Sequence, residues 1–182
     1  RVGVAVTVVK PGDMESLARA AKRSRTQVVY IETPGNPTMD IVNIAAAAHI
    51  AHRAGAKLYV DNTFATPILQ QPLTLGADVV LQSSTKYLGG HGTVIGGAVI
   101  ATDLEFLAGP VAEMRMLLGA VPSPHDAWLL FQGAKTLALR VEKMSRSAEM
   151  LARMLQTHAA VEWVRYPGLE DDPGHSIARR QM

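Results

Sequence analysis

The sequence predicts an α/β fold in which a mostly parallel β-sheet is flanked by helices. Up to Thr102, short apolar runs with the composition of strands alternate with segments of helical periodicity, and glycine, proline or aspartate stands at most of the junctions. Strands that alternate with helices at this spacing form a parallel sheet with crossover helices. After Thr102 the pattern becomes helical, which predicts a connecting region and the start of a smaller C-terminal α+β domain.

The first predicted elements are two strands with a helix between them. Residues 1–9 (RVGVAVTVV) alternate small and β-branched side chains, which predicts a strand. A Pro-Gly turn then leads to Asp13, a suitable N-cap, and apolar side chains follow it at the spacing of one helical face. Residues 27–32 (QVVYIE) form a continuous apolar run, which is typical of a strand that is buried on both faces.

The same alternation continues through the middle of the chain. Residues 44–54 fit an alanine-rich helix, and Gly55 is a natural end for it. Two further short apolar strands are predicted at residues 57–61 (KLYVD) and 77–82 (ADVVLQ). Residues 94–101 (VIGGAVIA) predict another strand, in which the paired glycines permit close backbone approach.

The last third of the chain has a helical composition. Residues 128–157 are rich in Ala, Leu, Met and Arg at helical spacing, which predicts a long helix. Residues 162–166 (EWVRY) have the composition of a strand and are expected to open a second domain.

Composition narrows the class of protein. The 18 basic and 16 acidic residues give a net charge of +2 and are scattered, so binding to nucleic acid or to a membrane surface is not expected. No run approaches the roughly 20 apolar residues of a membrane span. Because there is no cysteine, disulfides, thiolate catalysis and cysteine-bearing zinc sites are excluded. The composition fits a reducing compartment, and we expect a cytoplasmic protein.

Polar clusters follow three of the predicted strands. They are TPGNP at residues 33–37, DNT at residues 61–63, and SSTK at residues 83–86 followed by GGHG at residues 89–92. In open parallel sheets, ligands bind outside the carboxyl ends of the strands. We therefore expect Asn36, Asp61 and Lys86 to lie at one edge of the sheet.

Lys86 and Asp61 each allow two interpretations. A lysine after a buried strand is either a reactive amine, which forms an imine when it is neutral, or the partner of Asp61 in a structural ion pair. Asp61 is either a capping aspartate or a carboxylate that keeps a pyridine nitrogen protonated, as pyridoxal-phosphate (PLP) chemistry requires.

The neighbouring motifs are less specific. The hydroxyl side chains of residues 83–85 suit a phosphate, but such residues also satisfy backbone groups at strand ends. The following glycines do not complete a dinucleotide-binding G-x-G-x-x-G motif, because Ile95 occupies the third glycine position. His49 and His52 lie three residues apart on a predicted helix, where surface positions are favoured over a metal site.

Four ordered motifs resemble the PLP-dependent enzymes of Cys/Met metabolism. They are ETPGNPT (32–38), VDNTFATP (60–67), LGADVVLQSSTKYLGGHG (75–92) and LGAVPSPHDAWLLFQGAKTLALR (118–140), and YPGLEDDPGH (166–175) continues the match. The family includes cystathionine γ-synthase, cystathionine β- and γ-lyases, methionine γ-lyase and the O-acyl-homoserine sulfhydrylases. The resemblance spans nearly the whole chain.

The resemblance implies a type I aminotransferase-like fold with pyridoxal 5'-phosphate as cofactor. It identifies Lys86 as the Schiff-base lysine and Asp61 as the partner of the pyridine nitrogen. It places Ser83 and Thr85 at the cofactor phosphate. Asn36 is implied to lie near the cofactor hydroxyl and the substrate carboxylate.

The resemblance also implies how this chain fits into a larger enzyme. Residues 1–132 are expected to be part of the large PLP-binding domain, and residues 133–182 a linking helix and the start of the C-terminal domain. Glu32 and Arg140 lie in matching motifs and are expected to be structural. Because family members use contacts from an upstream segment, a neighbouring subunit and a C-terminal domain, we expect this chain to be a fragment of a longer dimeric or tetrameric enzyme.

The implied reaction is γ-replacement or elimination at the C–S or C–O bond of homoserine-, cystathionine- or methionine-type amino acids. Within the family, a γ-synthase, γ-lyase or sulfhydrylase is favoured over a β-lyase. Two alternatives from other classes remain at this stage. One is a truncated, non-catalytic domain that binds PLP weakly or only packs against partners, and the other is a dinucleotide-binding oxidoreductase, which Ile95 disfavours.

Overall fold

A computed structural model describes residues 3–22 and 26–182, and a four-stranded sheet forms its core. The strands are β1 (Val28–Glu32), β2 (Lys57–Asp61), β3 (Val79–Ser83) and β4 (Gly97–Ala101), in the spatial order β1-β2-β3-β4. β1, β2 and β3 run parallel, and β4 pairs antiparallel with β3. The predicted mostly parallel sheet is therefore confirmed, with its antiparallel strand at one edge.

The first helix begins where the sequence predicts, and the second both begins and ends as predicted to within one residue. α1 (Met14–Lys22) has Asp13 as its N-cap, whose Oδ1 accepts a hydrogen bond from the Ser16 amide at 2.9 Å. α2 (Ile44–Arg53) is capped by the side chain of Asn43. Gly55 follows α2 with a φ of 72°, a left-handed conformation that glycine adopts without steric cost.

The hydrophobic core lies between α2 and one face of the sheet. Alternate side chains of β1 and β2 point to this face, and Leu58 and Val60 have no exposed surface. From α2, Ile44 is likewise fully buried, together with the alanines one turn further along. This packing fixes the direction of β1 and β2, and with it the position of the segments that leave their carboxyl ends.

The expectation that β1 is buried on both faces is wrong. Its side chains alternate between exposed and buried, and Val28 and Tyr30 are 45% and 56% exposed. In the described part of the chain β1 is an edge strand, and its buried residues belong to the core that α2 covers. A continuous apolar run predicts a strand but does not determine whether a second layer covers it.

Two further predicted strands are wrong. Residues 3–9 form no strand, and Val4, Val6 and Val8 are largely exposed; residues 1 and 2 lie outside the described residues. Residues 162–166 also form no strand, and Trp163 is exposed. Both segments have strand composition, but a strand also needs a neighbouring strand to accept its backbone hydrogen bonds, and the structure pairs neither segment with the sheet.

The predicted helix at residues 128–157 is two helices, separated at Lys135 and Thr136. The later helices are α3 (Thr66–Leu69), α4 (Leu104–Phe106), α5 (Ala112–Leu118), α6 (Pro124–Ala134), α7 (Leu137–Gln156) and α8 (His175–Gln181). No helix in the two described ranges combines the length and the apolar character that crossing a bilayer requires.

Hydrogen bonds and ion pairs attach the C-terminal segment to the loop after β1. Arg165 pairs with the buried Asp172 at 3.2 Å and with Asp40 of that loop at 3.4 Å. From α8, Gln181 donates to the carbonyl oxygen of Val42 and to the side-chain oxygen of Gln70, both at 3.0 Å. The loop after β1 is therefore held both by the sheet and by these contacts with the C-terminal segment.

Candidate active site

The carboxyl ends of β2 and β3 are joined by hydrogen bonds between the segments that follow them. The backbone amide of Asn62 donates to the Leu81 carbonyl at 2.9 Å. The amide of Ser83 donates to the Thr63 hydroxyl at 2.8 Å. Since β1 pairs in parallel with β2, so that Glu32 lies beside Asp61, the three polar clusters predicted from the sequence leave the sheet at one edge.

The carboxylate of Asp61 is held by two donors. Its Oδ1 accepts from the Thr63 amide at 3.0 Å, and its Oδ2 accepts from the Tyr30 hydroxyl at 3.1 Å. The contact with the Thr63 amide is the local capping interaction that was one of the two interpretations of Asp61. The contact with Tyr30 comes from the neighbouring strand β1. Partial burial, the charge of Asp61 and this hydrogen bond raise the pKa of Tyr30 to about 12. Tyr30 therefore remains a donor at neutral pH.

Tyr30 was not among the residues singled out from the sequence. The signal that could have identified it is the strand alternation, because Tyr30 and Glu32 share a face of β1 and Glu32 is in register with Asp61. A tyrosine two residues before that register position is within reach of the carboxylate on the next strand.

Lys86 lies in a short helical turn, Ser84–Leu88, directly after β3. Its own backbone angles, φ −88° and ψ −118°, depart from the helical values of the turn. The side chain is exposed and lines a cavity of about 360 Å³ together with Phe64, Tyr87 and Arg140. Within residues 3–22 and 26–182, no carboxylate forms an ion pair with Lys86. The structural ion pair with Asp61 is therefore not formed, and the amine is available.

The hydroxyl residues before Lys86 differ in the hydrogen bonds that their side chains make. Thr85 Oγ1 accepts from the Gly96 amide at 3.0 Å and donates to the Gly96 carbonyl at 3.3 Å, so it fastens the turn to the segment before β4. Ser83 is half-buried, and its side chain makes no hydrogen bond to any described residue. Ser83 thus has a free hydroxyl, whereas Thr85 already has the structural role that strand-end hydroxyls often take.

Asn36 lies in the loop after β1 with its side chain exposed. Its backbone amide donates to Glu32 Oε1 at 3.0 Å, which gives Glu32 the structural contact expected of it. Asn36, Asp61, Ser83 and Thr85 do not line the Lys86 cavity. The structure therefore brings the backbone segments of the predicted site to one edge without enclosing all five side chains in one cavity.

A larger apolar cavity of about 440 Å³ adjoins the Lys86 cavity. The two cavities share Phe64, Tyr87 and Met144, and the larger one extends to the C-terminal residues Tyr166 and His175. Phe64 and Tyr87 pack edge to face with ring centroids 6.0 Å apart. The turns after β2 and β3 thus form a common aromatic wall between the two cavities.

The two histidines on α2 do not form a metal site. His52 Nε2 lies 2.8 Å from Asp78 Oδ2, so the histidine has a local partner. Across the described parts of the chain, no three histidine, aspartate or glutamate side chains come together in a group able to hold a metal ion. The surface position expected for His49 and His52 fits the exposure of both residues.

The described part of the site contains groups that suit pyridoxal phosphate chemistry. At the carboxyl edge of a parallel sheet it combines a carboxylate fixed by two donors with a lysine amine and a serine hydroxyl that bond to no side chain among the described residues. These residues fit the cofactor chemically. The fold and the site together define the class of α/β enzymes that use PLP.

The chain belongs to the Cys/Met metabolism PLP-dependent enzyme family, whose model matches residues 1–182. It is 48% identical to L-methionine γ-lyase of Pseudomonas deceptionensis over all of this chain and 46% of the relative. It is also 48% identical to cystathionine γ-synthase of Mycobacterium tuberculosis, with the same coverage. The crystal structure of a cystathionine γ-lyase from Micromonospora echinospora superposes with a TM-score of 0.95 at 41% identity, covering 99% of this chain and 47% of that one.

The expected family, fold and cofactor are confirmed by this match. The chain spans a little under half the length of these relatives. The chain is equally identical to a lyase and to a synthase, so the comparison does not select one reaction.

Proposed function

We propose that the protein carrying this chain makes or breaks the bond between the γ-carbon and sulfur or oxygen in homoserine-, cystathionine- or methionine-type amino acids. The observation that carries the proposal is the Lys86 amine, which pairs with no carboxylate in residues 3–22 and 26–182 and lines a cavity at the edge where Asp61 is fixed by two donors. Membership in a family of PLP-dependent enzymes of Cys/Met metabolism supports it.

In this proposal Lys86 is the lysine that bonds to the cofactor. Bound PLP supplies an electron sink that stabilises negative charge on the substrate α-carbon. As a free amine, Lys86 would accept the proton that leaves the substrate α-carbon and would deliver protons to other atoms of the substrate. Asp61 would keep the ring nitrogen of bound PLP protonated, and the Thr63 amide and the Tyr30 hydroxyl hold its carboxylate in place.

The remaining site residues are assigned to binding. Ser83 and Thr85 are proposed to contact the cofactor phosphate, Ser83 through its free hydroxyl and Thr85 through the oxygen that also contacts Gly96. Asn36 is proposed to lie near the cofactor hydroxyl and the substrate carboxylate, a role that its exposed side chain on the loop after β1 permits.

The wider organisation is proposed from the same family. Residues 1–132 are assigned to the large cofactor-binding domain, and residues 133–182 to a linking helix and the start of a C-terminal domain. The separation of α6 from α7 at Lys135 and Thr136 supports a border near this point. We propose that the full-length protein is a cytoplasmic homodimer or homotetramer, as the family resemblance implies.

Replacement of Lys86 tests the proposal in the full-length product of the gene. Lys86→Ala is expected to abolish the visible absorbance that borohydride removes from the unchanged protein, and to reduce turnover by at least about a hundredfold, because the proton-transfer group is lost. Lys135→Ala is the control, since Lys135 is an exposed lysine near the end of α6 that contacts Gln132. Full turnover by the Lys86→Ala protein would contradict the proposed role.

Product analysis identifies the reaction. With O-acyl-homoserine, cystathionine and methionine offered as competing substrates, we expect products of cleavage or replacement at the γ-carbon. Homocysteine, pyruvate and ammonia formed from cystathionine as the sole products would instead identify a β-lyase and contradict the preference for γ-chemistry.

The incomplete coverage of the relatives favours a second candidate, in which this chain by itself only binds PLP or packs against partners. A direct comparison separates the two candidates. The chain alone and the full-length gene product are assayed side by side for borohydride-sensitive absorbance and turnover. A chain as active as the full-length product would refute the second candidate.

A further inference from the structure

Arg140, in the first turn of α7, connects three elements around the turn that carries Lys86. Its Nη1 donates to the Tyr87 carbonyl at 2.9 Å, and its Nη2 donates to the Gly133 carbonyl at 2.8 Å. Its Nε donates to the Thr136 hydroxyl at 3.0 Å. One planar guanidinium thus joins the Lys86 turn, the end of α6 and the start of α7, which a lysine with a single donor nitrogen would not reproduce.

The contact with Tyr87 adds a side-chain hydrogen bond to the backbone hydrogen bonds of the Lys86 turn. The Ser84 carbonyl accepts from the Gly89 amide at 2.8 Å, and the Lys86 carbonyl accepts from the Gly90 amide at 2.7 Å. The carbonyl of Tyr87, directly after Lys86, accepts from Arg140 instead. Arg140 therefore supplies the bond that attaches this turn to the helices beside it.

Glycines make room for this arrangement. A Cβ atom at Gly90 would lie 2.2 Å from Arg140 Nη1, and Gly90 has a φ of 72°. A Cβ atom at Gly133 would lie 2.2 Å from the Gly89 carbonyl oxygen. The backbone of the turn thus packs directly against both the guanidinium and α6, so displacing either one displaces the segment that holds Lys86.

We propose that Arg140 is a positioning residue that fixes the orientation of the Lys86 turn toward its cavity. The inference rests on the proposed function of Lys86 and extends it to a residue expected only to be structural. Arg140 and Lys86 line the same cavity of about 360 Å³. Arg140 acts through the Tyr87 carbonyl, so its loss changes the geometry of the lysine rather than the chemistry of the cofactor.

The test uses the full-length gene product as purified, with Arg140→Met and Arg140→Lys compared with Arg146→Met. Arg146 lies on the same helix, is exposed and pairs only with Glu142 among the described residues, so it serves as a matched control. Loss of a charged hydrogen bond predicts amide exchange in residues 84–90 at least about tenfold faster in both Arg140 variants. The circular dichroism of the visible cofactor band, which reports the geometry around it, is expected to change as well.

A double-mutant cycle gives an independent readout. Gly90→Ala is expected to accelerate exchange of the same segment by pushing the guanidinium away from Tyr87. In the Arg140→Met background, Gly90→Ala is expected to increase the exchange rate by a smaller factor than in the unchanged protein, because the side chain that it displaces is already absent. Full additivity of the two changes would contradict the proposed contact.

The outcomes for the two proposals are distinct. Exchange in residues 84–90 that is no faster in the Arg140 variants than in Arg146→Met overturns the positioning role, even if the variants melt earlier. Failure of borohydride to label Lys86 in the unchanged protein overturns the proposed function instead. Faster exchange together with an altered cofactor band in both Arg140 variants, but not in the control, supports the positioning role.

Discussion

Gln70 is the centre of a buried amide network that supports the loop after β1. It is 1% exposed, and its Nε2 donates to the Thr33 carbonyl at 3.0 Å and to the Asn62 side chain at 2.7 Å. Its Oε1 accepts from Gln181 of α8 at 3.0 Å. One side chain thus links the ends of β1 and β2 to the C-terminal helix.

We expect Gln70→Leu to destabilise the protein by about 3 kcal/mol. Leucine nearly fills the volume but leaves the oxygens of Thr33 and Asn62 without this donor, at about 1–2 kcal/mol for each buried oxygen. For a chain of this size that corresponds to a fall of roughly 6–12 °C in Tm. Thermal and urea unfolding followed by circular dichroism would measure it.

The neighbouring Gln71→Leu is the matched control. Gln71 is exposed, and its side chain makes no hydrogen bond to the described residues, so its replacement is expected to change stability by less than about 0.5 kcal/mol. Equal effects of the two replacements would refute the reasoning, because the cost would then come from losing any glutamine in this loop rather than from the network.

Two further predictions concern close packing and ionisation. Gly133→Ala is expected to destabilise the protein by at least about 2 kcal/mol although alanine favours helices, because the new Cβ would lie 2.2 Å from the Gly89 carbonyl oxygen. Gly109→Ala is the control, since a Cβ atom there would meet no atom within 4 Å. Equal melting temperatures of the two variants would contradict the prediction. Because the pKa of Tyr30 is about 12 against an ordinary 10.0, the folded state keeps a proton that the unfolded chain releases. Its free energy of unfolding is therefore expected to fall between about pH 10 and about pH 12, and to fall more than in Tyr30→Phe, as urea unfolding would show. Identical slopes for the two proteins would contradict the raised pKa.

The elements that could be predicted from the sequence are those whose signals are local. α2 has a helical apolar face, a capping asparagine and a terminating glycine within one short stretch. β1, β2 and β3 are short apolar runs between turn residues, and their parallel order follows from the helical crossovers. Because parallel strands place their carboxyl ends together, the edge that carries Asp61 and Lys86 could be deduced before any coordinates.

The incorrect predictions concern segments whose state depends on a partner. Residues 3–9 alternate like a strand, yet Val6 is 78% exposed because no neighbouring strand pairs with them in the described chain. Burial of β1 on its second face depends in the same way on a layer that a sequence pattern does not specify. Thr85 shows the corresponding limit within the site, since only the fold reveals that its hydroxyl contacts Gly96.

Residues that support a site through main-chain oxygens leave little trace in a sequence pattern. Arg140 contacts the carbonyls of Tyr87 and Gly133, and Gln70 contacts that of Thr33. A carbonyl is present at every position, so the identity of the contacted residue carries no signal, and only the three-dimensional approach selects it. The informative residues are instead the glycines that permit the approach, such as Gly90 beside the Arg140 guanidinium. Gly89 and Gly90, three and four residues after Lys86, therefore mark close backbone packing, and the side chain packed against Gly90 is the arginine of a neighbouring helix.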